Sequence, residues 1–120
     1  MKIKENLQAE YEKYVEMNRA DGAYSMAVIN AGERVGCSLD EGKTPQEAIE
    51  QLTKGDGDGL TGFMAGAAIQ SVCHFNPRGE ELRVAWNERY NLPKEQKGIV
   101  NPALAVVNDD GTLGHDIQPV

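Results

Sequence analysis

The chain has 120 residues, 40% of them apolar, with 19 acidic against 12 basic side chains and a net charge of −7. That length fits one domain able to close its own core. The acidic balance argues against nucleic acid and anionic membranes as partners, since both need clustered Lys and Arg, and even residues 78–97 reach only +1, with five basic and four acidic residues.

The first predicted element is an amphipathic helix over residues 3–18. Ile3, Leu7, Tyr11, Tyr14 and Val15 share one face at helical spacing, and Lys and Glu cover the rest. Asp21-Gly22 ends it, because glycine accepts the left-handed conformation of a helix stop. A second helix is predicted over 23–40, with Tyr24, Val28, Ala31, Val35 and Leu39 as its stripe and Gly42 as its stop. Gly32 and Gly36 leave room on it for a neighbouring backbone. Thr44-Pro45-Gln46-Glu47 is a capping box with proline at the first helical position, so a short third helix should run to Lys54 with Ala48, Ile49 and Leu52 inward.

Gly55 to Gly59 reads as a linker whose Asp58 caps a fourth helix over 60–75. A calcium loop does not fit that run. With Gly59 at the sixth position, the first is Lys54 and the twelfth is Ala65, where the ion needs carboxylates. The fourth helix carries Phe63, Met64, Ala67, Ala68, Ile69 and Val72 around most of its circumference, and is the expected centre of the core. The mainly apolar run from Leu60 to Val72 is too short for a bilayer core, which needs about 20 residues as helix. Asn76-Pro77 either kinks this helix or caps a fifth, Pro77 at its first position, continuing to about Tyr90. Residues 93–120 lack helical periodicity and read as an extended arm, with Ile99–Val107 as a short strand or a packed extended piece, a turn at Asn108–Gly111 and no evident anchor beyond Gly114.

The expected fold is therefore all-α, a small irregular bundle of four or five helices over 1–92 with the arm over 93–120. An α+β fold with a C-terminal hairpin is the alternative. No signal peptide pattern opens the sequence, so a cytoplasmic location is expected. Cys37 and Cys73 are too few for a stapled scaffold and are expected reduced and buried.

Few residues suggest chemistry. Cys73 and His74 are adjacent, so on a helix they diverge by about 100° and cannot pair. His115 has no neighbours for a metal site. Phosphate-loop, nucleophile-elbow and Cys-x-x-Cys motifs are absent from the sequence. Glu47 and Glu50 share a face of the third helix, and Glu12 and Glu16 offer a second pair on the first. Such pairs on facing helices could hold Mg²⁺, as in the all-helical nucleotide pyrophosphatases. A solvated charged face is the plainer reading of all four. The functional expectation is an interaction or structural module without cofactor, with a Mg²⁺-dependent phosphohydrolase as the alternative. Gly62-x-x-x-Gly66 on a helix that is apolar nearly all round predicts a close crossing. A homodimer seam through Gly62, Phe63, Gly66 and Ile69 would finish its burial, and another protein is a further possible partner.

Gly79-Glu80-Glu81-Leu82-Arg83 leading to Trp86-Asn87, and then Gly98-Ile99-Val100-Asn101-Pro102-Ala103, resembles short helical proteins of bacteria and their phages. The resemblance covers about a quarter of the chain. It implies a bacterial or phage cytoplasmic protein, and neither an activity nor a site.

Overall fold

A computed structural model describes residues 1–53, 63–92, 94–107 and 113–118. The expected linker 55–59, the Asp58 cap, Gly62 and the turn 108–111 lie outside these residues, as do the side chains of Tyr24 and Phe63. A 3-10 turn at Glu5–Leu7 leads into α1 (Gln8–Asp21), followed by α2 (Ala23–Asp40), α3 (Pro45–Thr53), α4 (Phe63–Phe75) and α5 (Gly79–Glu88). Two strands close the chain, β1 (Ile99–Val107) and β2 (Leu113–Gln118).

The helical bundle is the one the periodicity predicts. α2 buries Val28, Ala31, Val35 and Leu39, the stripe read from the sequence. Gly22 and Gly42 stand at its two ends with φ of 106° and 92°, a backbone region open to glycine at little cost. At Gly32 α2 lies close against α4: a Cβ there would lie 3.1 Å from Ser71 Oγ and 3.5 Å from the Ala68 carbonyl oxygen. α3 is opened by the capping box. The Glu47 amide donates to Thr44 Oγ1 at 3.2 Å and the Thr44 amide to Glu47 Oε1 at 3.3 Å. That reciprocal pairing satisfies amides the helix itself leaves unbonded.

α4 sits at the centre. Ala65, Ala68, Ile69, Val72, Cys73 and Phe75 are all buried on it. It packs against α2, α5 and β1, three neighbours from its own chain. One apolar cluster runs continuously through α2, α3, α4, α5 and the start of β1, where Ile99 and Val100 are fully buried. α1 is more peripheral. Of its predicted apolar face only Tyr11 is buried, its ring 5.0 Å from that of Phe75, and its hydroxyl donates to Glu33 Oε1 at 2.9 Å. No described helix is long and apolar enough to cross a membrane.

Two expectations need correction, and the arm takes the form the sequence held as its alternative. α5 begins at Gly79 rather than at Pro77, because Asn76 closes a turn ahead of it: Asn76 Oδ1 accepts the Arg78 amide at 2.8 Å, and its carbonyl accepts the Gly79 amide at 2.8 Å. Cys37 is exposed, and only Cys73 is buried; both thiols are free. The C-terminal arm is a two-stranded antiparallel hairpin, the element the α+β alternative contained. Ile99 pairs with Gln118 and Val107 with Leu113, and the register slips between Asn101 and Ala105. Pro102 lies in that interval, where a residue without an amide hydrogen costs the ladder least.

Candidate functional site

The loop-side end of the bundle is assembled by backbone contacts of a few polar side chains. The Lys4 amide donates to the Phe75 carbonyl at 2.7 Å, which lays the N-terminal segment beside the end of α4. Arg83, on α5 and only 6% exposed, gathers the segment before β1. Its Nη2 donates to the Lys94 carbonyl at 3.1 Å, its Nη1 to the Gln96 carbonyl, and its Nε to Glu80 Oε2 at 3.0 Å. Asn87 and Trp86 fix the next residues. Asn87 Nδ2 donates to the Gly98 carbonyl at 2.8 Å, and Trp86 Nε1 to the Val100 carbonyl at 2.8 Å. The residues quoted for the bacterial and phage resemblance are thus largely the two sides of one junction between α5 and β1.

This junction walls a cavity of about 460 Å³ lined by Lys4, Cys73, His74, Glu80, Arg83, Lys94, Glu95 and Lys97. That volume is in the range of small-molecule sites, ~300–1,000 Å³. Four of the lining residues are Lys or Arg and two are Glu, in a chain whose net charge is −7. Arg83 and Glu80 neutralise each other through two hydrogen bonds. Lys4, Lys94 and Lys97 make no ion pair among the described residues. Their charge is nevertheless felt at the cavity. The Glu80 carboxyl is held below the usual carboxylate range, first by its hydrogen bond from Arg83, then by the fields of Arg83, Lys4 and Lys97.

Cys73 is not available as a nucleophile. Burial pushes its thiol up to about 12, and the fields of Arg83 and Lys4 only partly oppose that. His74 faces Glu10 instead, Nε2 to Oε1 at 3.5 Å, and stacks edge-on with Phe75. The adjacency of Cys73 and His74 is no catalytic pair.

The glutamates singled out for Mg²⁺ are not brought together. Among the described residues no three His, Cys, Asp or Glu side chains gather to hold a metal ion. Glu12 and Glu16 lie on the exposed side of α1, Glu47 is engaged in the capping box, and Glu50 is on the exposed face of α3. Of the four residues placed at a dimer seam, Gly66 and Ile69 are buried within their own chain; Gly62 and the Phe63 side chain lie outside the described residues.

A second polar cluster ties the N-terminus to the bundle and has a structural part. Fully buried Asn76 donates through Nδ2 to the Lys2 carbonyl at 3.1 Å and to Asp40 Oδ1 at 3.0 Å. Arg78 Nη1 donates to the carbonyls of Leu39 and Lys43, a cation placed on the C-terminal end of α2.

The charge balance missed the cationic cavity because its residues come from four separated segments. No curated protein and no solved structure matches the chain. One family model matches residues 1–109, all five helices and the first strand, and it is described as type I Thoeris inhibitor Tad4. The chain belongs to the Tad4 family of type I Thoeris inhibitors.

Proposed function

We propose that the chain inhibits type I Thoeris defence by binding rather than by catalysis, and that the cavity between the N-terminal segment, α4, α5 and residues 94–97 is its binding surface. The observation that carries this reading is the convergence of Lys4, Lys94 and Lys97, without ion-pair partners among the described residues, on one concave site of an acidic protein. A cleft lined by one sign of charge focuses its field and raises the local concentration of an opposite charge. The same cavity offers no activated nucleophile, since its buried thiol is held protonated. A binder needs one partner captured in stoichiometric amount, which a single small site can do.

The test is the double variant Lys94→Ala/Lys97→Ala, co-expressed with a type I Thoeris system while phage plating is scored. Both residues are exposed, so the variant is expected to fold, and far-UV circular dichroism checks that. Loss of inhibition by the folded variant supports the reading. Undiminished inhibition refutes it.

A further inference from the structure

We propose that the cavity's occupant is a small phosphate-type dianion, or a molecule that presents one. This rests on the reading of the cavity as the binding surface and adds the class of ligand. Three observations select it.

The first is charge count. Arg83 and Glu80 cancel, so Lys4, Lys94 and Lys97 stand against Glu95 alone, leaving two positive charges uncompensated. A neutral ligand would leave both charges desolvated as the cavity filled, and a monoanion would leave one. A dianion closes the balance.

The second is donor type. Arg83 would ordinarily be the residue to grip a planar carboxylate with its fork of N–H groups. Here four of its five N–H groups are already used: Nε and Nη2 reach Glu80, while Nη1 and Nη2 hold the carbonyls of Gln96 and Lys94. The positive charge left for a ligand is that of three ammonium groups, compact charges on flexible stems. These suit the three-dimensional oxygen array of a phosphate, which needs no planar match.

The third is the way the site is built. Arg83 clamps the carbonyl of Lys94 itself and that of Gln96, next to Lys97, so the backbone carrying both lysines is fixed before any ligand arrives. Lys4 is fixed by its own amide on the Phe75 carbonyl. The backbone bearing all three cations is preorganised, which lowers the ordering cost of binding.

The experiment is calorimetric titration of the full chain with inorganic pyrophosphate, inorganic phosphate and acetate at matched low ionic strength. We expect saturable one-to-one binding of pyrophosphate and phosphate, at least tenfold tighter than acetate. Lys94→Ala/Lys97→Ala should weaken it at least tenfold, and Lys43→Ala, which lies outside the cavity, should not. Phosphate binding much weaker than pyrophosphate would assign the site to a diphosphate group; equal binding would assign it to a single phosphate. The class is overturned if both anions bind no tighter than acetate, or if binding survives the double variant. If the anions fail while the double variant still loses inhibition in cells, the cavity stands as the binding surface and the phosphate class is wrong. If the double variant inhibits normally, the binding-surface reading itself has failed.

Discussion

Asn87 holds Val100 by its side chain as a neighbouring strand would by its backbone: the Val100 amide donates to Asn87 Oδ1 at 3.0 Å, while Asn87 Nδ2 donates to the Gly98 carbonyl. Asn87 and Val100 are both buried. The start of β1 therefore leans on this carboxamide of α5, beside the bond from Trp86 Nε1 to the Val100 carbonyl. Asn87→Leu should strand a buried N–H and a buried C=O together, at about 1–3 kcal/mol for each unsatisfied group. Urea unfolding would read this as a lower midpoint with little change in slope; a loss below about 0.5 kcal/mol would show that the junction does not depend on Asn87.

Gly79 gives a sharper steric prediction. A Cβ at this position would sit 2.1 Å from the Cys73 carbonyl oxygen and 2.7 Å from its carbonyl carbon. Both are backbone atoms at the end of α4, so no side chain can rotate away. Gly79→Ala must push α5 off α4, and overpacking of this kind costs about 1–3 kcal/mol or more. The usual gain from replacing a helical glycine by alanine, about 1 kcal/mol, would have the opposite sign. Thermal unfolding decides between them: we expect a lower Tm.

What was legible in the sequence was what neighbours in sequence decide. α2 has the predicted bounds because its stripe and its two flanking glycines are local signals, and Thr44 with Glu47 needs only a three-residue reach. α5 was displaced because Asn76 answers to groups distant in sequence: its side-chain amide is held by the Lys2 carbonyl and by Asp40, 74 and 36 residues earlier in the chain. Proline at the first helical turn is a propensity, and these long-range bonds override it. The hairpin was read only as the alternative, since Pro102 and the slipped register blur the alternation a strand would show. The cavity was invisible for a similar reason. Lys4 and Lys97 are far apart in the chain, and a window of local charge cannot see the fold that brings them to one cavity. The one usable sign was that Arg83, Trp86 and Asn87 share a helix face with nothing yet assigned to bond them.

The Glu80–Arg83 pair sets a pH dependence. The Glu80 carboxyl lies below its ordinary value in the folded chain, chiefly because Arg83 hydrogen-bonds its charged form. Its contribution is therefore present above the unfolded glutamate value, about 4.3, and is lost as pH falls through the lower folded value. The Glu80 side chain is 75% exposed, so screening limits the pair to at most about 1 kcal/mol. Glu80→Gln should be less stable than the parent at pH 7, and the two should converge towards pH 3. A constant difference across that range would mean that the effect is not the charge of Glu80.

The two thiols should differ in reactivity. Cys37 is exposed on α2, whereas Cys73 is buried and raised to about 12. An aromatic disulfide reagent at pH 8 should titrate one thiol in the native chain and both in denaturant. Rapid native labelling of Cys73 would show that the cavity floor opens to solvent.

The surroundings of α4 bear on self-association. The sequence suggested a dimer because two neighbours cannot cover a helix that is apolar nearly all round. The structure supplies three from the same chain, α2, α5 and β1, and Ile69 is fully buried among the bundle's apolar residues. Gly66 is buried as well. Gly66→Leu should therefore act on folding itself. We expect it to lower Tm by overpacking, about 1–3 kcal/mol or more, without passing through a folded monomer. Light scattering of the parent at micromolar concentration tests the dimer separately. A mass of twice 13.1 kDa would support the proposed homodimer and require its seam to lie on other, exposed surface; a mass of 13.1 kDa would end it. If Gly66→Leu instead yields a folded monomer from a dimeric parent, α4 lies at the seam after all, and the burial of Gly66 within one chain does not describe the assembled protein.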